Sequence, residues 1–174
     1  MNELANIPEF GIKRENEEQR DGGCAVVFDP KTQKYAVGKN VGDGIFRLFG
    51  GGVDKDEDMK EGVLREVVEE SGLYDFLYVE EIAVALAHYH NNSKNVNRIA
   101  KATCFLVILK SPELVKAKLE EHEKFYLIWS TPEEIVANWE ANNKDKNYDH
   151  YIYFLKKSVV RAKELGYDTT SNLI

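Results

Sequence analysis

The sequence has only two cysteines in 174 residues. That is too few for a disulfide framework, and no Cys-x-x-Cys pair marks a structural zinc site. Long apolar runs are also missing. The longest, Ile82 to Ala87 and Cys104 to Leu109, are six residues each, against about 20 for a membrane-spanning helix. There is no basic excess: 23 Lys and Arg stand against 30 Asp and Glu, a net charge of −7. This argues against non-specific nucleic-acid binding. With four prolines and no Pro/Gly/Ser-rich stretch, no linker divides the chain, and no repeat or low-complexity tract is present. Residues Met1 to Glu9 lack the basic start and apolar core of a secretion signal. The expectation is a cytoplasmic protein with no membrane partner and one folded domain, a length that buries about 70% of the unfolded surface.

Residues 1–21 read as an N-terminal arm that packs loosely, because Glu15 to Asp21 are almost wholly polar. Residues 22–174 read as the domain. Gly23 to Phe28 is a buried strand closed by Asp29-Pro30, and Lys34 to Gly38 is its hairpin partner. A brief strand, Ile45 to Phe49, runs into three glycines. The clearest helix runs from Glu57 or Asp58 to Ser71, with Asp56 or Asp58 as N-cap and Gly72 at the left-handed C-terminal position. Strands follow at Tyr78 to Tyr89 and Ala100 to Leu109, separated by a polar loop, Asn91 to Arg98. Ser111-Pro112-Glu113 opens a short helix to Leu119. Phe125 to Trp129 is a strand, and Thr131-Pro132-Glu133-Glu134 has the form of a capping box leading into a helix. A last amphipathic helix covers Asp149 to Leu165. Helices interspersed with strands give an α+β class, an α/β/α sandwich around a mixed sheet.

On the Glu57–Ser71 helix, Val63, Leu64, Val67 and Val68 form one apolar stripe. Glu66, Glu69 and Glu70 share a different arc at i, i+3, i+4 spacing. Like charges so placed cost about 0.2–0.5 kcal/mol per pair on an isolated helix, and Arg65 alone cannot neutralise three carboxylates. A solvated acidic face is one reading. A divalent cation is the other, since hard oxygen donors on adjacent turns suit Mg²⁺ or Mn²⁺. The preceding Gly50-Gly51-Gly52 favours the second reading. It allows close backbone approach to a ligand and leads to a helix N-terminus, which favours phosphate.

The stretch Gly51-(five residues)-Glu57-(seven residues)-Arg65-Glu66-Val67-Val68-Glu69-Glu70-Ser71-Gly72-Leu73 resembles the Nudix box at nine constrained positions over 23 residues. The flanks resemble the Nudix family more loosely from Gly22 to Leu165, and Phe49 stands where the family commonly has proline. The resemblance implies a Nudix fold and Mg²⁺-dependent (or Mn²⁺-dependent) hydrolysis of a nucleoside diphosphate linked to another group. It implies Glu66, Glu69 and Glu70 as metal ligands, one of them a general base, with the Gly51 carbonyl as a further ligand. Arg65 orients the glutamates; Glu57 and Gly72 are structural. An additional acid from a later loop falls on Glu121 or Glu123.

Tyr89 lies sixteen residues beyond Leu73, where the family's substrate markers point to dinucleoside polyphosphates; His88 replaces the proline that marks ADP-ribose enzymes. ADP-ribose or nucleoside triphosphate hydrolysis, and a non-catalytic nucleotide-binding module, stay open as alternatives. The intact set of charged residues argues against the module. Arg47, Lys94, Arg98 and Lys101 are candidate phosphate contacts. His88 and His90 read as pocket-lining or surface histidines, and Cys24 and Cys104 as buried thiols. Trp139, Tyr148, Tyr151 and Tyr153 build either core or the face of a homodimer. Most of the acidity has an address: residues 54–70 hold eight acids and three bases, five of the seven net charges.

Overall fold

The computed structural model of the chain describes residues 6–173. Among these residues, nine strands form one mixed sheet: β1 (Glu9–Gly11), β2 (Glu18–Gln19), β3 (Gly22–Asp29), β4 (Lys34–Asn40), β5 (Phe46–Arg47), β6 (Phe49–Gly52), β7 (Phe76–Asn91), β8 (Val96–Leu109) and β9 (Phe125–Ser130). Three helices of the described residues cover it: α1 (Met59–Ser71), α2 (Pro132–Ala141) and α3 (Asp149–Glu164). Central strand β3 pairs in parallel with β8 and antiparallel with β4 and β6. Its side chains alternate between two cores, as the period-2 pleat requires. Ala25 and Val27 pack with Val63 and Val67 of α1, while Cys24, Val26 and Phe28 pack with Ile135 and Trp139 of α2 and Phe154 and Leu155 of α3. The result is the expected α/β/α sandwich. Among the described residues no helix is long and apolar enough to cross a membrane.

Local chemistry sets the helix ends. The Asp58 carboxylate accepts from the Glu61 N–H at 3.1 Å, and Gly72 adopts φ 83° as the left-handed cap. The Thr131–Glu134 capping box forms as its sequence predicts. Three expectations about elements fail. No helix forms between Ser111 and Leu119; that segment is irregular and spends its backbone donors on the end of α1. The N–H groups of Val115 and Lys118 donate to the carbonyls of Gly72 and Glu69 at 2.9 and 2.7 Å, serving acceptors that α1 leaves unsatisfied. The loop expected over Asn91 to Arg98 shrinks to residues 92–95, because the β7–β8 ladder, which has register shifts at Phe76/Tyr78 and Glu81/Ala83, runs on without interruption from Ala83↔Cys104 to Asn91↔Val96. Arg98 is therefore a strand residue. The single strand expected over Ile45 to Phe49 is two short ones, with β6 continuing to Gly52.

The arm, as far as it is described, does not pack loosely. β1 pairs in parallel with β7 and β2 with β8. The buried His88 ring fastens it: Nδ1 meets the Glu17 carboxylate at 2.9 Å and Nε2 meets Glu9. Residues 1–5 lie outside the described part. Burial alone would lower the His88 pKa, but the two carboxylates overcome it and raise it above 6.5. Burial works to raise Glu17, yet the Arg14 N–H and His88 hold it below 4.5. The raised histidine contributes stability that is present below pH 6.5 and lost as pH rises through its folded value. The depressed carboxylate contributes stability that is present above 4.5 and lost as pH falls through its own. The stability difference between the protein and His88→Gln, measured by urea unfolding, should thus be largest between pH 4.5 and 6.5 and shrink on either side. A difference independent of pH would contradict this clamp.

Candidate active site

The site is built where β6 meets α1. Gly50 to Gly52 pair with Gly22 to Cys24 of β3, and Gly50 has φ 151°; a Cβ there would lie 2.2 Å from the Gly23 carbonyl oxygen. That close approach turns the Gly50 N–H towards α1, where the Glu70 carboxylate receives it at 2.7 Å. Arg47 donates to the other Glu70 oxygen at 3.2 Å, and its guanidinium lies 4.1 Å from the Phe125 ring centre. Phe49, in the place of the family's proline, is fully buried opposite Ala25 and packs in the α1-side core.

Glu70 is buried, and burial first, then its contact with Glu123, pushes its carboxyl up to about 9 despite Arg47 and the Gly50 N–H. Burial also acts to raise Glu123, but the hydrogen bond from Glu70 and the nearby Arg47 hold it low. The pair therefore shares one proton, carried by Glu70. Glu66 is raised by burial and by the neighbouring Glu69 and Glu123, against the pull of Arg65. Its carboxylate faces Gly51, where an added Cβ would sit 3.6 Å from Oε1.

Arg65 organises the exposed side. Its guanidinium takes Glu57 in a two-point contact at 2.9 and 3.1 Å and reaches Glu69 at 3.1 Å and Glu66 at 3.3 Å. Glu66 and Glu69 are thus turned to Arg65, and Glu70 to Gly50 and Arg47. Among the described residues, no three acidic, His or Cys side chains converge as they stand into a metal-binding group. In kind, the donors do fit a hard divalent cation. Two carboxyl groups, Glu66 and Glu70, raised first by burial and then by neighbouring acids, sit beside a glycine-rich strand with open backbone.

A cleft of about 840 Å³ opens in front of this cluster. Of the residues singled out from sequence, Arg47, Gly51, Glu57, Arg65, Glu66, Tyr89, Lys94, Arg98 and Glu123 line it, with His90. Glu69 and Glu70 do not line it, Glu70 being buried. Glu121 and Lys101 are exposed and do not line it either. His88 lines no cleft, being enclosed under the arm. Arg20 and His150 also line the cleft and had no distinguishing signal: one lies in a polar run, the other in the first turn of an amphipathic helix. The Arg20 guanidinium rests on Gly52, where a Cβ would fall 2.4 Å from Nη2.

The fold and this cleft define a Nudix-type domain. A family model described as NUDIX domain matches residues 18–152, and the chain belongs to the Nudix hydrolase family. Among solved structures, the chain is similar to a Listeria monocytogenes protein described as a NUDIX hydrolase, with TM-score 0.62, 20% identity, and 87% of this chain and 98% of that one covered. It is similar to a Caenorhabditis elegans Ap4A hydrolase in a binary complex, with TM-score 0.58, 18% identity, and 84% and 98% covered. It is also similar to the NUDIX domain of Shewanella oneidensis NrtR complexed with ADP ribose, with TM-score 0.53, 18% identity, and 79% and 88% covered. At these identities the likeness is one of fold. A comparison with curated proteins gives no match.

The contacts of Arg65 predict a positioning role. Arg65→Lys keeps the charge but loses the planar fork, so two glutamates lose their orientation while the fold persists. A fall in kcat of about 10–100-fold with an unchanged circular dichroism spectrum is expected, by analogy with residues that orient metal ligands. Wild-type turnover in this variant would contradict the role.

Proposed function

We propose that the protein is a Mg²⁺- or Mn²⁺-dependent pyrophosphohydrolase in which Glu66, Glu69 and Glu70 are the metal ligands, with the Gly51 carbonyl as a fourth donor. The observation that carries this reading is that the glycine-rich strand meets two acids of α1, Glu70 receiving the Gly50 N–H and Glu66 facing Gly51. When bound, the cation supplies charge neutralisation at the phosphate oxygens and acidity to the attacking water. The chain's own residues do the rest. Arg65 holds Glu66 and Glu69 in register, and Glu57 braces Arg65 from the loop before α1. Arg47, with one face on Phe125 and Glu70 at its tip, is placed to meet a phosphate oxygen. Glu123 is the ionised member of its pair, and it is the acid chosen from the two considered because Glu121 faces away; it is suited to accept the water's proton.

The substrate is a nucleoside diphosphate linked to another group. Tyr89 in the cleft wall supports a dinucleoside polyphosphate, and the C. elegans neighbour with Ap4A hydrolase activity in its description is consistent with that choice. The NrtR neighbour's ADP ribose supports the alternative. The acidic residue balance and the nucleotide-related neighbours support a small-molecule nucleotide as the partner class.

A substrate panel with Mg²⁺ tests the reading: dinucleoside tetraphosphates, ADP-ribose, NADH and nucleoside triphosphates, followed by product phosphates. Turnover should vanish on chelation and return with Mg²⁺ or Mn²⁺. Glu69→Gln should cost at least about 100-fold in kcat and Glu123→Gln about 10–100-fold, whereas Glu121→Gln should change nothing. Equal losses for Glu121 and Glu123 would remove the assigned acid. No turnover of any compound would favour a binding module.

A further inference from the structure

The only two cysteines of the chain meet in the fold. Cys24 of β3 and Cys104 of β8 are direct partners in the parallel register. Both side chains belong to the core on the α2 and α3 side, so the pleat sends them to one face, side by side. Both thiols are free and buried. Either one alone serves the core as a small apolar side chain. Together they are within reach of a bond, since a disulfide holds Cα atoms about 4.4–6.8 Å apart and paired strands lie about 4.8 Å apart.

Their surroundings are unequal. Cys104 is fully enclosed, its Sγ 3.9 Å from both the Ser158 hydroxyl and the Phe105 carbonyl oxygen. Cys24 is 6% exposed and lines the cleft. A small solute in the cleft therefore meets Cys24 first, with Cys104 behind it. The neighbouring Cys104 first, and burial second, hold the Cys24 thiol well above its ordinary pKa. At neutral pH it stays protonated and reacts slowly until an oxidant is plentiful.

On its other side Cys24 carries the glycine-rich strand. Gly50 of β6 pairs opposite it, so closely that a Cβ on Gly50 would fall 2.7 Å from the Cys24 Cα. The same Gly50 gives its N–H to Glu70 at 2.7 Å. In a disulfide the two Cβ atoms come to about 3.5–4.5 Å, nearer than the strand spacing sets them. Closure therefore draws Cys24 towards β8 and away from Gly50, and the strain keeps the bond easily reduced.

We propose that Cys24 and Cys104 are a peroxide-sensitive thiol pair, which closes into a reversible disulfide and loosens the contact of Gly50 with Glu70. In the first step the Cys24 sulfur attacks one oxygen of hydrogen peroxide. The O–O bond breaks, Cys24 becomes a sulfenic acid, and the leaving hydroxide takes the thiol proton as water. The Cys104 sulfur then attacks the Cys24 sulfur, the S–O bond breaks, and the hydroxide leaves with the Cys104 proton as a second water. The thiol pair gives up two electrons, and one peroxide is reduced to two waters.

The test treats the metal-free, full-length protein with hydrogen peroxide, alkylates it under denaturing conditions and measures the intact mass. The expected product is a single chain that has lost two hydrogens, takes up no alkylating agent, and regains both alkylation sites with dithiothreitol. In amide NMR spectra of the oxidised sample the Gly50 and Glu70 resonances should shift, and dithiothreitol should return them. Thiols still open to alkylation, oxygen added to Cys24 without a cross-link, or a bond only between two chains would overturn the pair. A disulfide with unmoved Gly50 and Glu70 resonances would overturn its link to the site. No metal or substrate enters the measurement, so its outcome is independent of the catalytic reading above.

Discussion

The active-site architecture depends on one buried carboxyl group, that of Glu70. Taking a polar group out of water is costly unless partners replace the lost hydration. Here the Gly50 N–H, the Arg47 guanidinium and a proton shared with Glu123 replace it. Those partners come from β6, β5 and the loop before β9. Each is therefore held at a fixed distance from α1 by the same group. The Gly50 N–H can reach the helix only because no side chain intervenes where β6 lies against β3. The glycine-rich strand and the acidic helix are in this sense one device.

The concentration of negative charge follows from that arrangement. Five of the seven net charges fall in residues 54–70, divided between the loop before α1 and the helix itself, whose outer carboxylates are gathered by a single arginine. Arg65 is matched to this task by its geometry, its fork serving Glu57 while one nitrogen reaches Glu66 and Glu69. Across the cleft the character changes to arginine, amide and aromatic side chains over an alanine floor.

Much of this was legible in the chain because the signals are local. Asp58, Gly72 and the Thr131–Glu134 box mark helix ends through contacts within a few residues, and the spacing of Gly51 to Leu73 carries the family. What was not legible depends on distant partners. The two-residue strand β2 is polar and gains its place only by pairing with Arg98 and Ile99 of β8. The Ser111–Leu119 segment has a helix-like start, yet its donors are drawn to the end of α1, a competition no local pattern records. Glu121 and Glu123 are equivalent in sequence; only the fold turns one to Glu70. His150 sits one residue past the start of an amphipathic helix, and its ring stack with Tyr89 joins elements some 60 positions apart.

Paramagnetic broadening by Mn²⁺ in amide NMR spectra tests whether these carboxylates and the Gly50–Gly52 backbone together make the one cation site proposed. Substoichiometric Mn²⁺ should first broaden Gly50, Gly51, Gly52, Glu66, Glu69 and Glu70, and excess Mg²⁺ should reverse the effect. Broadening centred instead on the exposed acids of the loop from Asp54 to Asp58, or spread evenly over the acidic surface, would contradict it.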